Sequence, residues 1–472
     1  MREICTVRLA GVHGSRTHPG RVHRPATILK TAEATGPLPL PQRRVSCEFV
    51  TDPDSAGPVA GYFDSPFPGE DGGPRRQLAP RSPGLALEAD ERLAVTTRRA
   101  LMSTMVVLRD PGEVFLMGHS PPSVSTTAWV ERIDPVNLTA LARSPDLPGG
   151  PFWPGGILVH QNGDLYVTFG RYCHRLDPGC KPVASRELPQ PQPYNSLIAM
   201  SDGALVMKNF VRDASNLSYF SVLSPGDLSP LSPEVEVREG SIARISRDIT
   251  RSGEFVYIVG DHAIFRYRYE AGNLERDRDW EYRYRTLGDD AQSYGWDPVI
   301  AGGNVWFMDN GANNFQRTAR DTGIATGPLH VIRVSVADSS DAEMFTPFDI
   351  PRGTIVNPPL FDPSRNILVA YDSGNSRIGG FRYSGPDAFD RLWEHEFGSS
   401  NHFLLYPDTG EIVVNDFDGT SEHVVVLEIE SGRELGRVAT GSPVQSVVFQ
   451  SPGWNRDVYT STFTTLSRTF IE

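Results

Sequence analysis

The chain has 472 residues, 39% hydrophobic and 10% aromatic, with a formal net charge of −13. That is the composition of a globular protein with a large core, and its acidic balance excludes a general nucleic-acid binder, which needs a basic face against phosphate. No apolar stretch approaches the roughly 18 residues of a membrane span; the longest runs are strand-sized, as at Ile157, Leu158 and Val159.

Residues 1–46 are basic, carry His13, His18 and His23, and show neither helical nor strand periodicity. They lack the continuous apolar run of a secretory signal. Two readings stay open. One is a disordered basic arm. The other is that 14–20 is a translated tRNA T-arm, read from a start codon placed too far upstream. Residues 51–85 are rich in Pro, Gly and Asp and read as a linker. The expected organisation is therefore a largely disordered extension and linker over 1–85, followed by one folded domain over 86–472.

From about residue 100 one pattern keeps returning. A short apolar strand is followed by a tight turn, a second β-branched and aromatic strand, and then a third. The first strands begin at 103, 155, 195, 243, 297, 357, 401 and 445, spaced at roughly 40 to 60 residues. Hairpin turns follow several of them, as at Asn162-Gly163, Asp202-Gly203, Ser252-Gly253 and Thr409-Gly410, where small residues tolerate the reversal. Eight registers of this kind predict an all-β fold, a single β-propeller of about eight four-stranded blades, with seven as the alternative. A sandwich would not repeat in this way. The last repeat shows only three strands before Glu472, so the ring is expected to close on a segment before Ser103. Residues 93–97 are the first choice for that strand, 45–50 the second, and closure through 93–97 would exclude Met102 as the true start.

Four cysteines are present: Cys5, Cys47, Cys173 and Cys180. Cys173 and Cys180 flank a turn and could bridge a hairpin, or serve as two small hydrophobes. Basic charge is almost all arginine, the lysines being Lys30, Lys181 and Lys208. The tract Tyr282-Arg283-Tyr284-Arg285 reads as the solvated face of an outer strand.

The segment 367–381, which carries Asp372-Ser373-Gly374-Asn375-Ser376-Arg377, resembles an NHL-type repeat, and 305–313 matches it more loosely. The whole is similar to the broad superfamily of quinoprotein-dehydrogenase-like, NHL, gluconolactonase-like and arylsulfotransferase propellers. That resemblance implies architecture and leaves activity open. The Trp-docking repeat and vicinal cysteine pair of quinoprotein dehydrogenases are absent. Where arylsulfotransferase-like propellers have a His-Asp pair, this chain has Trp296-Asp297.

Four first strands open on an amide or carboxylate, Asn195, Asp297, Asn357 and Asn401, and Gln445 holds the same register. In a propeller these five would sit at one height around one mouth of the channel. Oxygen atoms converging from separate blades suit a hard cation such as Ca²⁺ or another divalent ion, with Asn195, Asp297, Asn357 and Asn401 as the metal ligands. They equally suit local strand capping. Strand alternation turns His402 away from that ring. The expectation is a propeller that binds a small molecule or a protein partner at the channel mouth. The alternatives are a metal-assisted lactonase or esterase and, second, a quinoprotein-like oxidoreductase. Catalytic residues are not identified, and whether the chain is an enzyme stays open. A monomer is expected, and cytoplasmic location is the default with no signal or span in view.

Overall fold

The apolar first strands have a preference for burial that a lone blade cannot satisfy, because a four-stranded sheet hides its faces only against neighbours. In the computed structural model, which describes residues 57–472 except 124, 213–215, 287–290, 292 and 312–317, that burial is achieved by a ring. The described residues form eight sheets, one per repeat. The inner strands are Ser103–Leu108, Gly156–Val159, Tyr194–Ala199, Ile245–Thr250, Val299–Ala301, Leu360–Asp362, Leu404–Tyr406 and Val448–Pro452. Each pairs antiparallel with a second strand and runs outward as a meander. These are the eight registers read from the sequence, and we number the blades one to eight in that order.

The ring closes as expected. Leu93–Arg99 lies antiparallel to Thr465–Ile471, in register from Leu93 opposite Ile471 to Arg99 opposite Thr465. It supplies the fourth strand of blade eight. This removes the open edge that three strands would leave. Apolar clusters fill the seams between blades, as where Trp306, Phe361, Tyr371 and Trp393 share one core. No helix among the described residues is long and apolar enough to cross a membrane.

The linker expected over 51–85 is corrected from residue 57 onward, and the compact unit begins at Ala56 rather than at 86. Phe67, Leu78 and Leu85 are buried. The stretch 59–82 forms a strap across one mouth of the channel. Phe67 O accepts from Leu108 N at 2.9 Å, Pro68 O from Val159 N at 2.6 Å, and Pro74 O from Arg247 N at 2.8 Å. Arg75 O accepts from Ile300 N at 2.9 Å and Leu78 O from Leu405 N at 2.8 Å. Inner strands have no neighbour on the axial side, and their buried N–H groups need acceptors. A chain that meets one blade after another crosswise shows no strand period, which is why Pro- and Gly-rich composition reads as a linker. Residues 1–56, with Cys5, Cys47 and the possible 45–50 strand, lie outside the described residues.

Cys173 and Cys180 are free thiols, both buried, and they pack in different clusters. Burial pushes the Cys173 thiol up to about 12.

Candidate functional site

Inner and second strands are antiparallel, so the leading end of each inner strand and the trailing end of each second strand share one face. The strap covers the opposite face. The mouth opposite the strap is crossed in part by the loop that follows Met308, where Thr318 and Ala319 reach Gln445 of blade eight, and its described residues include a group of aromatic rings. Trp153, ahead of the inner strand of blade two, stacks on Phe210 at 4.1 Å between centroids. Phe210 follows the second strand of blade three. The Arg212 guanidinium lies over both rings, 6.0 Å from Trp153 and 5.8 Å from Phe210. Trp296 and Tyr294, ahead of blade five, belong to the same apolar cluster. Trp153 and Tyr294 are half-buried and Arg212 is exposed, so solvent reaches this cluster.

Below the aromatics Arg244 spans the channel like a beam. From blade four its Nη2 donates to Pro154 O at 3.2 Å and Gly155 O at 3.0 Å in blade two. Its Nε meets Glu70 Oε1 of the strap at 2.8 Å, and its guanidinium lies 5.7 Å from the Phe449 ring of blade eight. Its backbone N donates to Asp297 Oδ1 at 2.6 Å. Beneath it the strap inserts Glu70, Asp71 and Arg76. Arg76 Nη2 donates to Asp297 Oδ2 at 3.1 Å and Nη1 to Glu70 Oε2 at 3.3 Å, and Arg76 also pairs with Asp71. Burial raises the Glu70 carboxyl against the pull of Arg244 and Arg76. Burial acts on Asp71 in the same sense, but Arg76 and His402 outweigh it and hold that carboxyl below its usual range.

The predicted ring residues meet different fates. Asn195 Nδ2 donates to Ile242 O at 2.7 Å, and Asp297 binds the backbone of Arg244 two residues on. Both therefore bond to the connector 242–244. Asn357 is fully buried, and neither atom of its amide has a partner among the described residues. The Asn195 Oδ1 and the Trp296 indole N–H are likewise unpartnered among those residues. Gln445 is committed elsewhere, its Oε1 accepting from Ala319 N at 2.6 Å and Thr318 Oγ1 at 2.8 Å, and its Nε2 donating to Gly398 O. The backbone of Asn401 pairs parallel with Val448; its side chain lies outside what is described.

His402 corrects the alternation argument. Its Nδ1 lies 2.7 Å from Asp71 Oδ1 and its ring stacks on Phe449 at 4.4 Å, so it faces the strap. The cause is a change of partner: Asn401–His402 pairs with blade eight, and Leu404–Tyr406 then begins blade seven. Sequence reasoning also missed Lys208. Its Nζ is fully buried and donates to Ser241 O, Ser241 Oγ and Ala243 O, stitching blade three to blade four. Burial lowers it well below the usual lysine range, with Asp297 opposing. A lysine inside a strand, in a chain whose cations are nearly all arginine, was a signal available in the sequence.

The NHL-like motif has a backbone task. Asp372 Oδ1 accepts from Thr354 N at 3.1 Å and Asn375 N at 3.0 Å, and Oδ2 from Asn375 Nδ2 at 2.7 Å. Asp309 plays a related part in blade five, accepting His330 N at 2.6 Å and facing His330 Nδ1 at 2.7 Å. Both carboxyls are raised by burial.

No model of a known family matches the chain, and no curated protein matches it in sequence. Solved structures do match in fold. The quinohemoprotein alcohol dehydrogenase from Comamonas testosteroni superposes with a TM-score of 0.60 at 11% identity, over 86% of this chain and 80% of that one. A europium-containing methanol dehydrogenase gives 0.57 at 10% identity, over 83% and 88%. The Dos1 propeller gives 0.52 at 10% identity, over 81% and 95%. At such identities the likeness is one of fold, a β-propeller.

Proposed function

We propose that this protein is a small-molecule-binding propeller whose ligand sits in the channel mouth opposite the strap. The observation that carries the reading is an aromatic rim above a closed floor: strap and Arg244 close the floor, while Trp153, Phe210, Tyr294 and Trp296 edge the opposite mouth, beside the loop that reaches Gln445. Such a cup offers apolar walls and few polar groups, the usual make-up of a ligand site. The unpartnered Asn357 amide, Asn195 Oδ1 and Trp296 N–H supply donors and acceptors still to be met.

The names of the two dehydrogenases raise a redox cofactor and a lanthanide, and the residues here do not fit the ion. Asp297, the one carboxylate of the expected ring, is bound by Arg76 and Arg244. A metal-assisted hydrolase meets the same obstacle.

Saturation-transfer NMR with a fragment library tests the reading on the full chain and on a Trp153→Ala, Arg212→Ala double variant. Binding fragments should compete with one another and lose contact in the variant. A library without binders, or binders indifferent to the two substitutions, would sink it.

A further inference from the structure

Three carboxylates converge at the channel floor: Glu70 and Asp71 from the strap and Asp297 from blade five. Three acidic groups gathered out of water repel one another and demand a cation. In many proteins a hard metal ion meets that demand, bound by oxygen atoms at about 2.3–2.6 Å. Here the atoms in question are Glu70 Oε2, Asp71 Oδ2 and Asp297 Oδ2, and all three face one group, the guanidinium of Arg76.

We propose that Arg76 is a built-in counter-cation holding the position of a metal ion, delivered by the strap and fixed in place of an exchangeable ligand. A planar fork can serve several carboxylate oxygens at once, which an ammonium point charge does less well. The side chain is 3% exposed, so water does not share the task. Glu70, Asp71 and His402 already offer ligand atoms within 4.8 Å of one another, a spread that a single ion can bridge. The floor is thus one substitution away from a metal site. Arg244 remains, with Nε on the other oxygen of Glu70 at 2.8 Å and Nη1 3.8 Å from Asp297 Oδ2, beyond hydrogen-bonding distance, and so does not fill the gap. The wild-type chain needs no metal to close its channel, and whatever binds at the mouth does so above a floor sealed by its own ion pairs. This inference stands apart from the identity of the mouth's ligand.

Terbium luminescence and melting curves on the full chain decide the matter, with Arg76→Ala, Arg76→Lys and an Arg76→Ala, Asp297→Asn double variant. Tyr371 feels the charge of both Asp297 and Asp71, so it is near enough to sensitise an ion bound there. The wild type and Arg76→Lys should show no stoichiometric Tb³⁺ and no shift in melting with Tb³⁺ or Ca²⁺. Arg76→Ala should melt lower without ions, gain one sensitised Tb³⁺ per chain, and recover stability as ion is added, as linkage requires. The double variant keeps Glu70, Asp71 and His402 but loses the Asp297 charge, and should bind the ion at least about tenfold more weakly. A stoichiometric channel ion in the wild type overturns the proposal. So does an Arg76→Ala chain that folds without taking an ion, or one that neither ion restores.

Discussion

Glu422 opens the third strand of blade seven, Glu422–Glu428, and is fully buried. Its Oε1 accepts from Asn415 Nδ2 at 2.7 Å, and its Oε2 has no partner among the described residues. Burial, with the charge of Asp416 adding to it, pushes the carboxyl from the ordinary 4.5 up to about 8. A folded state that holds the proton more tightly than the unfolded one is stabilised at low pH. That advantage is complete below 4.5 and drains away as pH rises through 8. At about 1.4 kcal/mol for each tenfold in proton affinity, the whole loss is on the order of 4–5 kcal/mol. Glu422→Gln keeps the shape and the bond to Asn415 but cannot ionise. Urea unfolding of both proteins at about pH 5 should find them within about 1 kcal/mol of each other. At about pH 9 the variant should be the more stable by several kcal/mol. Other titrating groups are common to both proteins and cancel in the difference. A gap between variant and wild type that is the same at both pH values would refute the reasoning.

Asp297→Asn takes one carboxylate from Arg76, which keeps Glu70 and Asp71, and from Arg244, which keeps Glu70, and should lower stability by roughly 3 kcal/mol in denaturant titration; a neutral result would mean that the floor does not depend on the Asp297 charge. Phe67→Ala should cost about 3–5 kcal/mol, because Phe67 is buried in the apolar cluster that also holds Leu108 and Leu116; a change near zero would show the strap to be loosely held. A Cβ at Gly155 would lie 1.7 Å from Thr168 O, so Gly155→Ala should lower the melting point and cost about 2 kcal/mol or more. Gly226→Ala, whose Cβ would meet only Ser224 Oγ at 3.5 Å, serves as its control. Without reductant, alkylation followed by peptide mapping should leave Cys173 and Cys180 unmodified in the native protein and label both after denaturation; recovery of a 173–180 bridge would contradict their assignment as free thiols.

The blades were legible because their cause is local. A strand that lines a ring is apolar over three or four residues, and the turn after it needs Gly, Asn or Asp. Those two demands recur in every repeat, so Ile157, Ile198, Val299 and Val448 mark their blades without help from distant residues. Closure was legible for the complementary reason, since three strands at the C-terminus leave one ladder unpaired and Leu93–Arg99 is the nearest chain able to fill it. Amides at the leading ends were also visible, and Asn195 and Asp297 both bond to the connector 242–244. Their partners were not visible. Asn195 turns to a neighbouring carbonyl and Gln445 to a loop more than a hundred residues away.

The strap was illegible because its order is imposed from outside. Helices and strands announce themselves by repeating their own hydrogen-bonding partner at fixed spacing, whereas 59–82 finds a different blade at nearly every bond. Its charged residues mislead for the same reason. Glu70, Asp71 and Arg76 in a Pro/Gly context look solvated, yet each is matched to a group on a blade far along the chain: Arg244, His402 and Asp297. A buried charge is tolerable only where its counter-charge is already fixed. The ring supplies that fixity by holding its blades in place, and the strap in turn satisfies axial N–H groups that the blades cannot pair among themselves. Sequence alone shows half of each such pair, and the pairing appears only when the channel is assembled.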